Sequence, residues 1–248
     1  MRVAVLGAGI VGVTTAYELA ADGHEVTVFE RRASVAAETS FANAGVIAPG
    51  YVTPWAAPGM PWKVASQWFS RDAAIRMGGL SSLALMPWIW RWWRACRPAV
   101  YRRNRSAMQA LAHYSRQRLD HLAASLKLDF EQASGYMVLL RGRSEVAGAR
   151  AGLDLLKELG VPHRLIDGAQ ARQVEPGLNP KQALAAAIHL PQDGVGNCRQ
   201  FAQVLKAEAQ GLKAVFRFDH DVRQLVPGRR PKLTWQQAGR TDEAELDA

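Results

Sequence analysis

The first thirty residues carry the clearest pattern of hydrophobic and polar positions in the chain. Residues 2–6 form an apolar, β-branched run that leads into glycine, as buried strands often do. Residues 10–21 place apolar side chains at helical spacing, and Asp22 and Gly23 provide the end of that helix. Residues 25–29 form a second strand-like run. Because the connections are short, the pattern predicts a β-α-β unit with two parallel strands.

The rest of the chain predicts a mixture of helices and strands. Residues 40–61 are rich in glycine and proline and predict a structured loop, and residues 62–126 predict helices with breaks near Gly78–Gly79 and Pro98. Further predicted helices cover residues 145–159, 169–174 and 198–210, the last with Asn197 as its N-cap. Predicted strands lie near residues 130–132, 136–140, 163–166, 184–190, 215–218, 222–226 and 232–236, and residues 241–248 are acidic.

Composition and cysteine content narrow the class of protein. The 248 residues are 48% hydrophobic and 21% charged, which is typical of a globular protein and argues against disorder. No apolar run reaches the ~18 residues that a membrane-spanning helix needs. Cys96 and Cys198 are far apart and form no C-x-x-C pair, so we expect neither a disulfide scaffold nor a zinc motif, and we expect a cytoplasmic location.

The six histidines do not suggest metal or nucleophile chemistry. None of them forms a paired metal-ligand spacing, so we predict no metal site. Asp219, His220 and Asp221 stand between two predicted strands, and a polar turn is the favoured interpretation over a catalytic group.

A glycine motif occupies the junction between the first strand and the first helix. Gly7-Ala8-Gly9-Ile10-Val11-Gly12 reads G-x-G-x-x-G, and Glu30 follows at the end of the second strand, 18 residues beyond Gly12. In such a motif the first glycine allows the tight turn, the second lets a pyrophosphate approach the backbone, and the third lets helix and strand pack closely. The helix N-terminus then faces the phosphates, and Glu30 would accept hydrogen bonds from a ribose diol. The sequence therefore predicts a dinucleotide site.

The motif alone does not settle which dinucleotide is bound. Glu30 would repel a 2′-phosphate and so disfavours NADP, although Arg31 and Arg32 weaken this argument. NAD and FAD are not separable from these residues. The position of the motif at the start of the chain favours FAD.

The segment after the second strand resembles a known family. Residues 38–45 (ETSFANAG), 49–51 (PGY) and 53–59 (TPWAAPG) resemble the FAD-dependent D-amino acid dehydrogenases of the small-subunit type, within the D-amino-acid-oxidase-like superfamily. Weaker similarities follow in the same order at residues 113–116, 190–193 and 216–218.

This resemblance implies a fold and an activity. The fold would be α/β, a Rossmann-like FAD-binding domain with an inserted α+β substrate domain. Residues 1–60 and 191–248 would form the FAD-binding domain and residues 61–190 the substrate domain. The activity would be oxidative deamination of a D-amino acid to a 2-oxo acid and ammonia, with electrons passing to a quinone-type acceptor at the membrane.

The resemblance also implies which residues contact FAD. The pyrophosphate would lie on the glycine motif, the adenosine end on Glu30 and Arg31, and the stretch towards the flavin on the loop after the second strand. The implied contacts are Val3, Leu6, Gly7, Ala8, Gly9, Ile10, Val11, Gly12, Glu30, Arg31, Ser40, Asn43, Ala44, Gly45 and Val222. Small residues at 40–45 can present backbone N–H groups to an anion, but without the resemblance an ordinary surface loop would be the preferred interpretation.

Members of the resembled family continue well beyond the strands that residues 215–236 resemble. We therefore expect the C-terminal part of the fold, including the residues that hold the substrate carboxylate, to be missing, and we assign no catalytic residue. On this view the chain alone would bind FAD poorly and would not oxidise D-alanine. An NAD-linked oxidoreductase and a non-catalytic remnant with weak nucleotide binding stay open as alternatives.

One segment concentrates the positive charge. The formal charge of the chain is +9, and residues 73–119 contain nine arginines and no Asp or Glu. Within this segment, residues 88–97 place Trp88, Ile89, Trp92, Trp93 and Cys96 on one helical face and Arg91, Arg94 and Arg97 on the other. A face packed in the core is the favoured interpretation. The alternative is peripheral contact with the inner face of a membrane. Nucleic acid is not expected, because no recognition motif accompanies the charge.

Overall fold

The computed structural model describes residues 1–67 and 84–248. They divide into two compact units, the first made of Met1–Ile47, Leu119–Tyr136 and Gly194–Ala248, the second of Ala48–Arg118 and Met137–Asp193. The predicted helix break near Gly78–Gly79 lies outside the described residues. The limits predicted for the domains stay predictions.

The elements alternate between helix and strand along most of the chain. The helices are α1 (Ile10–Ala21), α2 (Met60–Gln67), α3 (Met86–Ala95), α4 (Pro98–Ser125), α5 (Arg143–Glu158), α6 (Gly168–Val174) and α7 (Cys198–Gly211). The strands are β1 (Arg2–Leu6), β2 (Glu25–Phe29), β3 (Val46–Ile47), β4 (Ala133–Leu140), β5 (Arg164–Ile166), β6 (Ala186–Val195), β7 (Val215–Arg217), β8 (Asp221–Val226), β9 (Lys232–Gln237) and β10 (Arg240–Glu245).

The first unit is built on a parallel sheet in the order β1-β2-β7. In β1 and β2, Val3 lies opposite Val26, and Thr27 of β2 lies opposite Val215 of β7. Parallel strands bring their carboxyl ends to one edge of a sheet, so the residues that follow β1, β2 and β7 meet there. The predicted β-α-β unit is confirmed, with both strands and α1 at the predicted limits.

Small and branched side chains pack the helices of the first unit. Ala16 of α1 and Ala202 and Leu205 of α7 are fully buried together with Val13 and Val28. The methyl side chains let α1 and α7 approach closely, and the branched residues fill the space above the sheet. This core fixes the position of the N-terminus of α1.

A second, antiparallel sheet of the first unit has the order β10-β9-β8. Leu233 and Trp235 of β9 pack with Phe29 of β2 and with Leu246 in a separate apolar cluster. After β10 the backbone continues beside β1, where the amide of Asp247 donates to the carbonyl of Arg2 at 3.0 Å. These contacts cover the face of the strands next to Phe29.

The second unit packs strands and helices around its own apolar core. Strand β5 pairs antiparallel with β6, with Leu165 opposite Ile188, and the core includes Leu140, Leu156, Val161, Ile188 and Leu190. The carboxylate of Asp193, a side chain only 3% exposed, accepts a hydrogen bond from the amide of Gly50 at 3.0 Å. Asp193 therefore holds the loop that follows β3 in the chain.

Two of the four tryptophans of helix α3 lie beside the ring of Trp55, but one of these two, Trp88, is still 49% exposed. The rings of Trp88 and Trp92 lie 5.8 and 5.7 Å from the ring of Trp55, and Cys96, just after the helix, is buried. Trp90 and Trp93 are 55% and 54% exposed. No residue of α3 itself is buried, so the predicted apolar face is only partly packed. Within the described ranges 1–67 and 84–248, no helix is long and apolar enough to cross a membrane.

The sequence pattern was wrong at one strand and missed others. Residues 130–132 are not a strand, because Phe130 is buried against Phe201 with ring centroids 4.9 Å apart, and β4 begins only at Ala133. Strand β6 continues past the predicted limit at residue 190 to Val195. Strands β3 and β10 were not predicted. The side chains of β10 are mostly exposed and polar, so its strand conformation comes from pairing with β9 and leaves no hydrophobic period.

Candidate functional site

The glycine motif forms a tight turn between β1 and α1. Gly7 has a φ of +92°, a conformation that favours glycine, and its amide donates to the carbonyl of Phe29 at 2.8 Å. A Cβ atom on Gly12 would overlap the carbonyl oxygen of Gly7. Only glycine at position 12 lets the first turn of α1 lie this close to the turn after β1.

Gly9 and Ser40 define the entrance to α1. Gly9 is the N-cap residue and makes no side-chain cap, and the hydroxyl of Ser40 accepts a hydrogen bond from the amide of Ile10 at 3.0 Å. A Cβ atom on Gly9 would lie 3.3 Å from this hydroxyl. The loop after β2 thus approaches the helix N-terminus, where free N–H groups and the helix dipole favour an anion.

Glu30 turns its carboxylate back onto the glycine motif. Its Oε2 accepts from the amide of Ala8 at 2.6 Å, and its Oε1 accepts from the amide of Arg32 at 2.8 Å. A carboxylate has about four acceptor positions, so both oxygens keep lone pairs for further donors. The side chain is fixed at the end of β2 and can still accept from a diol.

These residues share one cleft of about 390 Å³. It lies at the carboxyl ends of β1 and β2 and is closed on one side by the segment after β7. The lining residues are Leu6, Gly7, Gly9, Phe29, Glu30, Arg31, Ala37, Glu38, Thr39, Ser40, His220, Asp221 and Val222. Seven of the predicted contacts therefore lie together: Leu6, Gly7, Gly9, Glu30, Arg31, Ser40 and Val222.

Glu38 forms ion pairs with Arg31 and Arg32, the two arginines that weakened the sequence argument against NADP. Both its oxygens accept from Arg31 at 2.8 Å, and one also accepts from Arg32 at 2.7 Å. The hydrogen bond from Arg31, with that from Arg32, lowers the pKa of Glu38 and keeps it ionised. With both guanidinium groups paired, the rim of the cleft offers a 2′-phosphate less attraction than the sequence suggested.

His220 is a lining residue that the sequence did not assign to the nucleotide site. As predicted, Asp219, with a φ of +60°, and His220 lie between two strands, whereas Asp221 is already the first residue of β8. The ring itself is buried between Phe29 and Trp235, with Nδ1 2.6 Å from the carbonyl oxygen of Phe218. The signal that could have found it is the pairing of β7 with β2, which brings the end of β7 next to Glu30.

The other predicted contacts lie outside this cleft. Asn43, Ala44 and Gly45 line a separate hollow of about 350 Å³, together with Asn197 and Cys198 at the start of α7. Val3, Val11 and Gly12 line an open depression of about 540 Å³ beside β1, which also borders on Leu6, Gly7 and Gly9. Ala8 is buried below the motif, and Ile10 contributes its amide to the bond with Ser40. The structure thus divides the predicted contacts among three neighbouring surfaces of the first unit.

The arrangement fits the adenosine diphosphate part of FAD. Glycine at 7 and 9 leaves no side chain at the turn in front of the N-terminus of α1, where a pyrophosphate would approach the backbone, and Gly12 lets the helix pack against this turn. Glu30 stands at the end of β2, where a ribose diol would find acceptor oxygens. Gly7, Gly9 and Ser40 would hold the phosphates and Glu30 the ribose.

Comparison with solved structures shows the same fold in two oxidases and an amino acid deaminase. The chain is similar to glycine oxidase from Geobacillus kaustophilus, with a TM-score of 0.64 and 21% identity over 100% of this chain and 54% of that one. It is similar to L-amino acid deaminase from Proteus myxofaciens, with a TM-score of 0.62 and 16% identity over 94% of this chain and 42% of that one. It is also similar to FAD-bound L-α-glycerophosphate oxidase from Mycoplasma pneumoniae, with a TM-score of 0.53 and 17% identity over 94% and 48% of the two chains.

The chain spans about half the length of these proteins. At such identities the similarity shows the fold, and the predicted α/β class with a Rossmann-like FAD-binding domain is confirmed. The family model described as FAD dependent oxidoreductase (DAO) matches residues 2–246, almost the whole chain. FAD, the cofactor predicted from the sequence, is the cofactor of that family. The chain therefore belongs to the FAD dependent oxidoreductase family.

Proposed function

We propose that this chain binds the adenosine diphosphate part of FAD as a component of a dehydrogenase that acts on D-amino acids. The observation that carries the proposal is the single cleft in which Gly7, Gly9 and Glu30 lie together. Membership of the family supports the redox chemistry, and the resemblance of residues 38–59 to D-amino acid dehydrogenases supports the substrate. Two of the similar structures are named for reactions of amino acids.

The reaction proposed is oxidative deamination. A D-amino acid, water and an oxidised quinone-type acceptor give a 2-oxo acid, ammonia and the reduced acceptor. The two electrons leave the Cα–H bond as hydride and a proton leaves the amino nitrogen, and water then hydrolyses the resulting imine. FAD, when bound, supplies the group that accepts the hydride from Cα. The residues of the first unit contribute binding and orientation: the glycine motif and Ser40 hold the phosphates, and Glu30 and Val222 hold the adenosine.

The proposed site also includes the hollow of Asn43, Ala44 and Gly45. We propose that these residues continue the FAD contacts beyond the cleft, with Val3, Leu6, Ala8, Ile10, Val11, Gly12 and Arg31 completing the set. The proposed domain limits are those of the sequence, with residues 1–60 and 191–248 on the FAD side and residues 61–190 on the substrate side.

Competition between nucleotides tests the FAD proposal. ADP should displace FAD from the chain, and FMN, which lacks the adenosine end, should not. Glu30→Gln should weaken FAD binding by about tenfold or more, because a hydrogen bond to a charged group is lost. Glu25→Gln, an exposed change at the other end of β2, is the matched control. Displacement by FMN as effective as that by ADP would contradict the proposal.

Dye reduction tests the substrate. Reduction that depends on D-alanine and does not occur with L-alanine would support the D-amino acid assignment. It would also overturn the sequence-based expectation that this chain alone has no turnover. Reduction with L-alanine alone would contradict the assignment. FAD binding without any turnover would agree with the alternative of a non-catalytic remnant.

We further propose that the second unit contacts an anionic membrane surface through α3 and through Arg97, which follows this helix in the chain. Trp90 and Trp93 are more than half exposed, and Arg94 lies over the ring of Trp90 at 4.6 Å. Exposed tryptophan beside arginine suits the headgroup region, where the rings enter the interface and the guanidinium groups face phosphate. A location on the inner face of the membrane would bring the enzyme to a quinone-type acceptor.

Vesicle flotation tests this contact. The chain should float with phosphatidylglycerol vesicles and not with phosphatidylcholine vesicles. Changing Arg91, Arg94 and Arg97 to Glu should lower the binding by at least about a hundredfold, since each cation near such a surface contributes about 1 kcal/mol. The same charge change at exposed Arg143, Arg150 and Arg164 is the control. Binding that persists in the first variant would rule out the electrostatic contact.

A further inference from the structure

Helix α4 carries a buried arginine that forms no ion pair with any residue the structure describes. Arg105 is 7% exposed. Its Nη1 donates to the hydroxyl of Tyr101 at 2.9 Å and to that of Thr53 at 3.5 Å. Its Nε is buried and has no hydrogen-bond partner, and among the ion pairs of the described residues none involves Arg105. Within the described ranges, the hydrogen bonds of this always-charged guanidinium therefore go to two neutral hydroxyls.

Such an arrangement is energetically costly as it stands. Burial of an unpaired ionised group is disfavoured strongly, and a buried cation normally has a carboxylate or another anion beside it. Within the described ranges 48–67 and 84–118 of this unit, none of the residues is Asp or Glu. Arg102 and Arg103, on the preceding turn of α4, are exposed to solvent. Among the arginines that the structure describes, Arg105 is the buried one, and no ion pair between described residues involves it.

The same segment that contacts Arg105 also borders on a second unsatisfied donor. Thr53 lies two residues before Trp55, whose ring contacts Trp92, and the indole Nε1 of Trp92 is buried without a partner. Two N–H donors without acceptors thus lie against residues 53–55. Thr53 is exposed and its hydroxyl lies 2.9 Å from that of Tyr101, so the cluster has one hydroxyl that faces solvent.

We propose that Arg105, Tyr101 and Thr53 form a binding site for a small carboxylate, and that its ligand is the carboxylate of the amino acid substrate. The identity of the ligand rests on the proposed function, and the site itself rests on the geometry of the second unit. The planar fork of arginine matches the two oxygens of a carboxylate, and a hydroxyl beside it can donate a further hydrogen bond. This assignment departs from the sequence-based expectation that the carboxylate is held entirely outside the chain.

Titration calorimetry of the full 248-residue chain tests the site. Acetate and D-alanine should bind, and ethylamine, which lacks a carboxylate, should not. Arg105→Gln should lower the affinity for acetate by about ten- to a hundredfold, as expected when a charge-assisted hydrogen bond is removed. Arg103→Gln removes the same charge from the exposed side of α4 and should leave the affinity unchanged within about twofold.

Further measurements separate this site from the flavin proposal and from simple misfolding. FAD binding by Arg105→Gln should equal that of the wild type, so a loss confined to acetate supports the site. If Arg105→Gln does not fold, the pair Tyr101→Phe and Thr53→Val should still weaken acetate binding by about tenfold. Wild-type protein that binds FAD but not acetate overturns the carboxylate site and leaves the proposed function standing. Tighter binding of inorganic phosphate than of acetate, or equal acetate binding by Arg105→Gln, also overturns it.

Discussion

Gly12 is the residue at which the glycine motif is least tolerant of change. A Cβ atom there would overlap the backbone of Gly7, which cannot move away as a side chain could. Gly12→Ala should therefore displace α1 from β1, lower the free energy of unfolding by about 1–3 kcal/mol and abolish FAD binding. Urea unfolding and FAD titration measure the two effects.

Gly148→Ala is the matched control for this change. Gly148 lies inside α5 with open space around its Cα, so alanine should raise stability by up to about 1 kcal/mol through its helix propensity. FAD binding should not change. Equal effects of the two substitutions would show that crowding against Gly7 is not the reason for glycine at position 12.

Asp193 should give the stability of the second unit an unusual dependence on pH. Burial raises the pKa of Asp193, although the amides of Gly50 and Tyr51 and the charges of Arg116 and His113 act in the opposite direction. The folded protein then holds this proton more tightly than the unfolded chain, whose Asp pKa is about 3.9. The contribution of Asp193 to stability is therefore present at low pH and decreases as the pH rises through the raised pKa.

Asp193→Asn removes this titration and should give a flatter curve of unfolding free energy against pH above about pH 4. Urea unfolding at a series of pH values measures it. Asp154→Asn, an exposed change on α5, should keep the slope of the wild type. The same slope in wild-type and Asp193→Asn protein would show that Asp193 does not titrate differently in the folded state.

At the scale of elements, the packing of α7 on α1 determines whether the helix N-terminus stays in front of β1. Leu205 is fully buried in that contact, so Leu205→Ala should lower the free energy of unfolding by about 2–5 kcal/mol. Leu212 follows the last residue of α7 as its C-cap and is 43% exposed, and Leu212→Ala should change stability by less than about 0.5 kcal/mol. Chemical unfolding followed by circular dichroism compares the two, and similar losses would contradict the packing described here.

The elements also show which parts of the fold the sequence could predict. The β-α-β unit was predicted because its apolar periods and its glycine stop are strong local signals, and α7 was predicted from the N-cap Asn197, whose side chain accepts from the amide of Gln200. Strand β10 has no such period, since it depends on pairing with β9. The residues around Phe130 favour a strand, but the packing of Phe130 against Phe201 determines its position.

The same distinction applies to the site. Gly7, Gly9 and Glu30 were predicted to share a cleft because the motif carries its own geometry. His220 was missed because its place beside Glu30 depends on strand order, which no local spacing encodes. In the sequence, Arg105 is only one of nine arginines in the basic segment. Its burial depends on the residues that pack against that turn of α4, which the local sequence does not indicate.

For the whole molecule, two units with separate cores should unfold in separable steps. ADP binds the first unit in our proposal, so saturating ADP should raise only the midpoint of that unit, by the equivalent of about 2.7 kcal/mol at a hundredfold excess over Kd. Seven of the eight tryptophans lie between residues 55 and 93, and Trp235 belongs to the first unit. Tryptophan fluorescence should therefore follow the second unit, and calorimetry should follow both.

Trp235→Phe sharpens this experiment, because the remaining fluorescence then comes only from residues 55–93. The fluorescence midpoint of this variant should not respond to ADP, whereas the calorimetric trace should shift. A shift of both midpoints by the same amount would show that the units unfold together.

Each unit also contains one cysteine, and the two differ in accessibility. Burial raises the pKa of the Cys96 thiol, whereas Cys198 lines the hollow beside Gly45 and is only half-buried. A maleimide dye at neutral pH should therefore couple mainly to Cys198. The chain thus offers a position for one fluorescent label next to the proposed flavin contacts, without any engineered thiol.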